Sequence, residues 1–349
     1  MIKKPSSHDR RQLVIGIDEA GYGPNLGPLV IGCSSWLIED RQPEVSDSTT
    51  AVERLLEQLA PIFRPRADRG MFKHIPLGDS KALYSSGDSL DSLAVGVRYW
   101  LNSIACDAVN FQNFFASVAI DDVTRLASIP WYRPIGYSDS SIERFKPLDQ
   151  CLPTMLIDEA DLCCQRAGVR FLGLTARIID EGEFNSAIAR LGNKATFLSN
   201  TSLRLAAAAL ELHSDLLADD DISIHVYCDK HGGRNRYQSI LMDAMPDLWF
   251  DVLRESALRS DYVARWQERT LRWSFLAKGD RLIASALSSM VAKWLREGLM
   301  HRLNQFWRTH LPGLKQTAGY PMDAKRFRQA IETTADRLGY LSHQWWRNK

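Results

Sequence analysis

At 349 residues the chain has room for one large domain or two smaller ones, and is long enough to bury a sizeable core. Its 45% hydrophobic and 24% charged content is ordinary for a soluble globular protein, and no apolar run approaches the length that spans a bilayer. The net charge of +1 hides an asymmetry: residues 265–349 carry 16 Lys/Arg against 6 Asp/Glu, so the rest of the chain is net acidic. That basic part also holds Trp266, Trp273, Trp294, Trp307, Trp345 and Trp346. It is compatible with a nucleic-acid backbone as partner, or with a solvated helical surface of long snorkelling side chains. Six cysteines (33, 106, 151, 163, 164 and 228) form no Cys-x-x-Cys pair. They read as reduced core thiols, so a cytoplasmic location is expected. The start, MIKKPSSHDRRQ, is basic and has no apolar segment, so a signal peptide is not expected.

Residues 1–11 read as a polar tail. The stretch VIGIDEAGYGPNLGPLVIGC (14–33) then begins as a buried strand and reaches two adjacent carboxylates, Asp18 and Glu19. A loop dense in Gly and Pro follows, then a second apolar run. Strands near 12–18 and 28–38 are expected to pair through that loop. Carboxylates at the end of a buried strand are costly unless compensated, and a metal ion is one such partner. An Asp–Glu pair in a solvated turn is the other reading. Strand side chains alternate between faces, so both acids serve one site only where the strand ends or twists, as the glycines allow.

AVERLLEQLA (51–60) reads as a short amphipathic helix, and 88–102 as another. Between them LGDSKALYSSG (77–87) carries Lys81, either an exposed loop lysine or one facing a phosphate. Residues 103–167 are turn-rich around WYRPIGYSDSSIERFKP and read as an insertion: a lid, a substrate arm or a small subdomain. GVRFLGLTARIIDEGEFN (168–185) is a strand entering an acidic helix start. That helix is expected to continue through NKATFLSNTSLRLAAAALELH (193–213), rich in Ala and Leu. Asp219, Asp220 and Asp221 read as a solvated loop rather than a metal cluster.

In ISIHVYCDKHGGRNRY (222–237) apolar and polar residues alternate as in a sheet strand, and Asp229 ends it. Asp229 either belongs to a site or caps a helix beginning near Asn235. Lys230 to Arg234 read as a flexible basic loop with an exposed His231 able to approach a phosphate, while His225 packs inside the strand. Residues 261–276 read as a hairpin turning near Gln267-Glu268-Arg269. LAKGDRLIASALSSMVAKWLRE (276–297) sets Asp280 before a helix whose Ser285, Ala286, Ser288 and Ser289 allow close packing on a sheet. KQTAGYPMDAKRF (315–327) contributes Gly319 and Tyr320.

Together these stretches resemble the type 2 ribonucleases H, the ribonuclease HII and HIII family. Asp-Glu-Ala-Gly-x-Gly-Pro after a strand is similar to the family's opening motif, and Asp79-Ser80-Lys81 to its Asp-Ser-Lys segment. Asp229 matches its third carboxylate, Asp280 its fourth, and Gly319-Tyr320 its C-terminal Gly-Tyr element. The ordered series covers about two thirds of the chain. The resemblance implies a ribonuclease H-like α/β fold, a mixed central sheet flanked by helices. Residues 1–102 and 168–310 would form its core, 103–167 the insertion and 311–349 a helical substrate-contacting part. One departure stands out: where bacterial type II members have Gly-Arg-Gly, this chain has Gly21-Tyr22-Gly23.

Asp18, Glu19, Asp229 and Asp280 would hold two divalent ions, and an all-oxygen donor set favours Mg²⁺ or Mn²⁺. Gly21, Tyr22, Gly23, Lys81 and Tyr320 are the implied substrate-binding residues. The expected activity is metal-dependent endonucleolytic hydrolysis of the RNA strand of an RNA–DNA hybrid or of a ribonucleotide-containing DNA duplex, by a monomer without a membrane partner. The alternatives are a noncatalytic nucleic-acid-binding protein on the same fold, or a nuclease of altered specificity. Four acids facing phosphates favour the enzyme over the pure binder.

Overall fold

The computed structural model describes residues 11–39, 51–65, 72–84, 89–106, 108–133, 146–218, 222–277 and 279–348, without the side chains of Ala51, Ile120, Asp121 and Asp280. The expectations for residues 1–10, for most of 131–147 and for Asp219 to Asp221 fall outside those residues.

The chain opens with β1 (Arg11–Ala20) and β2 (Leu29–Glu39), antiparallel across the Gly-Pro loop with Asp18 opposite Gly32. There follow α1 (Ala51–Leu59), the two-residue strands β3 (Phe63–Arg64) and β4 (Ile75–Pro76), α2 (Ser80–Leu83) and α3 (Asp91–Asn102). Where it is described, the segment read as an insertion is mostly helical: α4 (Phe111–Val118), α5 (Ile120–Ala127), α6 (Leu148–Cys151) and α7 (Thr154–Ala167). Next come β5 (Val169–Ile179), α8 (Glu181–Leu191), α9 (Lys194–Glu211), β6 (Ile222–Asp229) and α10 (Gln238–Ala244). The last elements are β7 (Asp251–Glu255), β8 (Arg259–Trp266), β9 (Arg269–Leu276), α11 (Ile283–His310), α12 (Pro321–Arg337) and α13 (Ser342–Trp345).

Seven strands form one mixed sheet in the order β5-β2-β1-β6-β9-β8-β7, with helices on both faces. This is the mixed central sheet expected from the sequence. Its three central strands, β1, β6 and β9, run parallel, so they end at the same edge with Ala20, Asp229 and Leu276. In open α/β sheets that carboxyl edge is where ligands bind.

Alternation divides the core. Leu13, Ile15 and Ile17 of β1 join Ile224, Val226 and Cys228 of β6 on the face covered by α9 and α10. Val14 and Tyr227 lie on the other face, under α11. That 28-residue helix sits almost on the backbone of β1 and β2. A Cβ on Gly16 would fall 2.2 Å from the carbonyl carbon of Ala284, and one on Gly32 2.4 Å from the carbonyl oxygen of Ser288. Ser288 Oγ donates to Gly16 O (2.8 Å) and Ser34 Oγ to Ala284 O (2.8 Å). Of the small residues expected to allow close packing, Ser285 and Ser288 lie against the glycines of the sheet, with Ala284 beside them.

Three expectations are corrected. The helix after β5 does not run on: Gly192, at φ +66, ends α8, and the Asn193 side chain starts α9 by accepting from the amides of Ala195 (2.8 Å) and Thr196 (3.3 Å). A left-handed Gly and an Asn N-cap outweigh the helix propensity around them. Second, Trp266, Trp273, Trp294, Trp307 and Trp345 are core residues, leaving only Trp346 half-buried. Trp294 stacks on Phe114 at 3.9 Å and Trp307 on Trp131 at 6.4 Å, which ties the helices of 103–167 into the α11 core. Third, His231 is buried at 1% exposure. The 261–276 hairpin forms as expected, turning at Gln267 and Glu268 with φ of +47° and +67°.

Candidate active site

Asp18 and Glu19 stand at the end of β1, beside the strand that Asp229 ends. Ile17 is in register with Cys228, so Asp18 and Asp229 are the next step along two parallel neighbours and share a face. The 3-10 turn Gly279–Arg281 follows β9 at the same edge and is tied to this corner by the Gly279 amide, which donates to Asp229 Oδ1 at 3.3 Å. Asp280 lies on that turn, its side chain outside the described residues.

The acids perturb one another. Burial, then the charge of Asp229, pushes the Asp18 carboxyl up to about 7, against hydrogen bonds from Ser289 and the Glu19 amide and the charge of Lys81. Burial, then Asp18 and Asp229, pushes Glu19 up to about 8, again opposed by Lys81. The Glu19 amide donates to Asp18 Oδ1 at 2.8 Å, one residue before the end of β1. Lys81 reaches this corner because Asp79 caps α2, accepting from the Lys81 amide at 2.9 Å, while Ser80 hydrogen-bonds Ser289 of α11 at 2.9 Å. Ser289, read from sequence only as a small packing residue, therefore links the Asp-Ser-Lys segment to Asp18.

Among the described residues no group of three or more His, Cys, Asp or Glu side chains closes around one metal position, a set that leaves out Asp280. The donor chemistry nevertheless fits a hard divalent cation. The acids offer only oxygen, sit half-buried, and raise each other's pKa, which an added cation would reverse.

The glycine loop that follows is braced from behind. Gly21 (φ +89) leaves no room for a side chain: a Cβ would meet Pro28 O at 2.5 Å and Arg296 Nε at 2.6 Å. Arg347 is buried, donates to Gly21 O at 2.6 Å and also to Pro24 O, and its amide bonds Asn25 O at 2.9 Å. The Asn25 amide donates to Gly319 O at 2.9 Å. Glu181 Oε1 accepts the Gly27 amide (3.0 Å) and the Tyr132 hydroxyl (2.9 Å). Tyr320 lies on the same flank, its ring 5.8 Å from the Arg296 guanidinium, and is half exposed.

In front of the loop the contacts are sparse. Gly23 is open, and Tyr22 is half-buried with Lys194 Nζ 4.9 Å from its ring centre. Burial, then the charge of Glu19, raises the Tyr22 pKa while Arg234 lowers it. Arg234 NH2 donates to Thr196 Oγ1 at 3.0 Å.

The basic loop after Asp229 is not the mobile cluster expected. Lys230 Nζ is held by Ser256 O and Ser260 Oγ, each at 2.8 Å. His231 Nδ1 pairs with Ser199 Oγ at 3.0 Å and its amide donates to the Tyr237 hydroxyl at 3.0 Å. Burial and the nearby Arg234 push the His231 pKa down to about 3, so the ring is neutral and does not meet a phosphate. His225 is the packed histidine expected, between Ser274 and Tyr227 at 2.9 Å each.

Its structural neighbours are ribonucleases H of type 2. The ribonuclease H2 of Pyrococcus horikoshii OT3 superposes with a TM-score of 0.42 at 14% identity, over 96% of this chain and 92% of that one. The ribonuclease HII of Archaeoglobus fulgidus, solved with PCNA, gives 0.40 at 13% identity over 97% and 94%. Bst-RNase HIII, solved with Mn²⁺, gives 0.39 at 14% identity over 96% and 66%. Overlaps this loose carry no weight of their own. No family model matches the chain, and no curated protein does.

Proposed function

We propose that the protein is a metal-dependent endonuclease that cuts the RNA strand of RNA–DNA hybrids. The observation that supports this reading is the nearness of Asp18, Glu19 and Asp229 at the carboxyl edge of two parallel strands, close enough for their charges to act on one another, with the Asp280 turn bonded to Asp229. Buried acids that repel one another do not stabilise a fold, and a polyanion would not be bound by them alone. They make sense as holders of Mg²⁺ or Mn²⁺ from Asp18, Glu19, Asp229 and Asp280. Such ions, when bound, activate a water and take up charge on the leaving oxygen of a phosphodiester.

The chain's own residues do the rest. Ser289 and the Glu19 amide fix the Asp18 carboxylate. Lys81, exposed and electrostatically coupled to both acids, orients the scissile phosphate. The backbone of Gly21 to Gly23, held by Arg347, meets the ribose, whose 2′-hydroxyl distinguishes RNA from DNA. Tyr320, exposed on the flank where Arg296 backs the loop, contacts the strand there.

The test is cleavage, with Mg²⁺ or Mn²⁺, of three labelled duplexes: a continuous hybrid, DNA with one ribonucleotide, and all-DNA. Cutting confined to the first two is expected. Binding without cutting by any of them would make the protein a noncatalytic binder, and cutting of all-DNA would mean altered specificity.

A further inference from the structure

Tyr22 lies between opposite charges. On one side is Glu19, whose charge raises the phenol's pKa; on the other are Lys194, 4.9 Å from the ring centre, and Arg234, which lowers it. Lys194 is the first residue of α9, an 18-residue helix with no acid in its first turn. Arg234 reaches the same turn from the loop after Asp229, bonding Thr196 Oγ1, and its buried Nε has no hydrogen-bond partner. Gly232, at φ +58, lies beside them: a Cβ there would be in ordinary contact, 3.4 Å, with both the Tyr22 hydroxyl and Ala195 Cβ.

The start of α9 does not by itself favour these cations, since a helix N-terminus repels positive charge; what holds them there is the Tyr22 ring, Thr196 and the charge of Glu19 across the ring. Lys230, one residue past Asp229, is by contrast folded inward on four oxygens and Lys293 is paired with Glu297 at 2.9 Å. Lys81 approaches the acids from the α11 side, through Ser80 and Ser289. Lys194 and Arg234 approach from the α9 side, across Tyr22.

We propose that Lys194, steadied on the Tyr22 ring and seconded by Arg234, is a phosphate-holding residue for the nucleic-acid strand, on the side of the acids away from Lys81. This rests on the nuclease reading and adds a binding residue to it. The ligand is an internucleotide phosphate rather than a base, since Lys194 is a point charge and the planar guanidinium of Arg234 is turned to Thr196 Oγ1. Its loss therefore weakens every duplex alike.

The experiment measures affinity by fluorescence anisotropy for a hybrid, a single-ribonucleotide duplex and all-DNA. It does so across a salt series with Ca²⁺ present, in the Asp18→Asn background that prevents cutting. A protein that gives up one phosphate contact loses about 0.9 from the slope of log K against log salt. Lys194→Met should lose that amount equally on all three duplexes, with an unchanged melting temperature, and Lys194→Arg should restore it. An unchanged slope in Lys194→Met, while the parent still binds and the wild type still cuts hybrids, overturns this inference and leaves the nuclease reading standing. A slope lost on one duplex only also overturns it. A parent that binds none of the three, together with a wild type that cuts none of them, overturns both.

Discussion

Behind the glycine loop, Arg347, Gly319 and Glu181 bond the carbonyls of Gly21, Pro24 and Asn25 and the amides of Asn25, Leu26 and Gly27; in front of it, Tyr22, Lys194 and Arg234 meet through ring, charge and open space. The rear contacts come from residues more than 150 positions away, the farthest 326. Such a loop is fixed by the whole fold and presents a fixed face. The front has fewer bonds to lose, so changes there should alter what is bound rather than whether the chain folds. The acids lie between the two sides, and variants at all three places separate holding, chemistry and reading.

The largest effect is expected at the acids. Asp18→Asn and Asp280→Asn should each abolish metal-dependent cleavage of a hybrid, with melting temperature unchanged or slightly raised in chelator, because one repelling charge is gone. Near-normal turnover by either variant at matched metal concentration would count against the four-acid site.

Next comes the rear of the loop. Arg347→Met strands the carbonyls of Gly21 and Pro24, and a buried acceptor left unsatisfied costs roughly 1–3 kcal/mol. It also removes a positive charge that lowers the pKa of the buried Glu181. Thermal unfolding should show a clear loss of stability, and, on the proposed nuclease reading in which the loop meets the ribose, kcat should fall further than KM rises. A variant with wild-type stability would show that the loop holds itself.

In front, the expected change is in selectivity. The sequence resemblance puts an arginine where this chain has Tyr22, and a charged hydrogen bond is worth about 1.5–3 kcal/mol, or about one to two powers of ten. Hybrids with several ribonucleotides should therefore be cut better than duplexes with one, and Tyr22→Arg should narrow that gap in kcat/KM. An unchanged ratio would mean that Tyr22 does not set selectivity.

What sequence could show of this arrangement was local. The β1–β2 pair, the strand ending in Asp229 and the hairpin at Gln267-Glu268 follow from alternation and turn chemistry within a few residues. The Gly192–Asn193 break was also written in the sequence, as a helix stop followed by a helix start, but summed propensity hid it. The fate of His231 was not local: its burial depends on Ser199 and Tyr237, from two other elements. Nor was that of the tryptophans, since aromatic residues among arginines read alike whether they stack on bases or fill a core. Lys194 gave no signal until α9 carried it to Tyr22.

The smallest effect expected is a pH drift of stability in the metal-free protein. Both Asp18 and Glu19 have carboxyls raised by folding, to about 7 and about 8, from the ordinary values of 3.8 and 4.5. A raised carboxyl favours the protonated folded form, so its contribution is fully present below the unfolded value and is lost as pH rises through the folded one. In chelator the melting temperature should therefore drift down between pH 4 and pH 8, beyond the drift shown by Asp18→Asn over the same range. Solvent at this half-exposed corner screens the charges and keeps the slope shallow. Added Mn²⁺ should flatten it, because a cation held by the acids favours their charged forms. A slope identical in Asp18→Asn, or untouched by Mn²⁺, would mean that the drift arises elsewhere and that these acids do not share a cation.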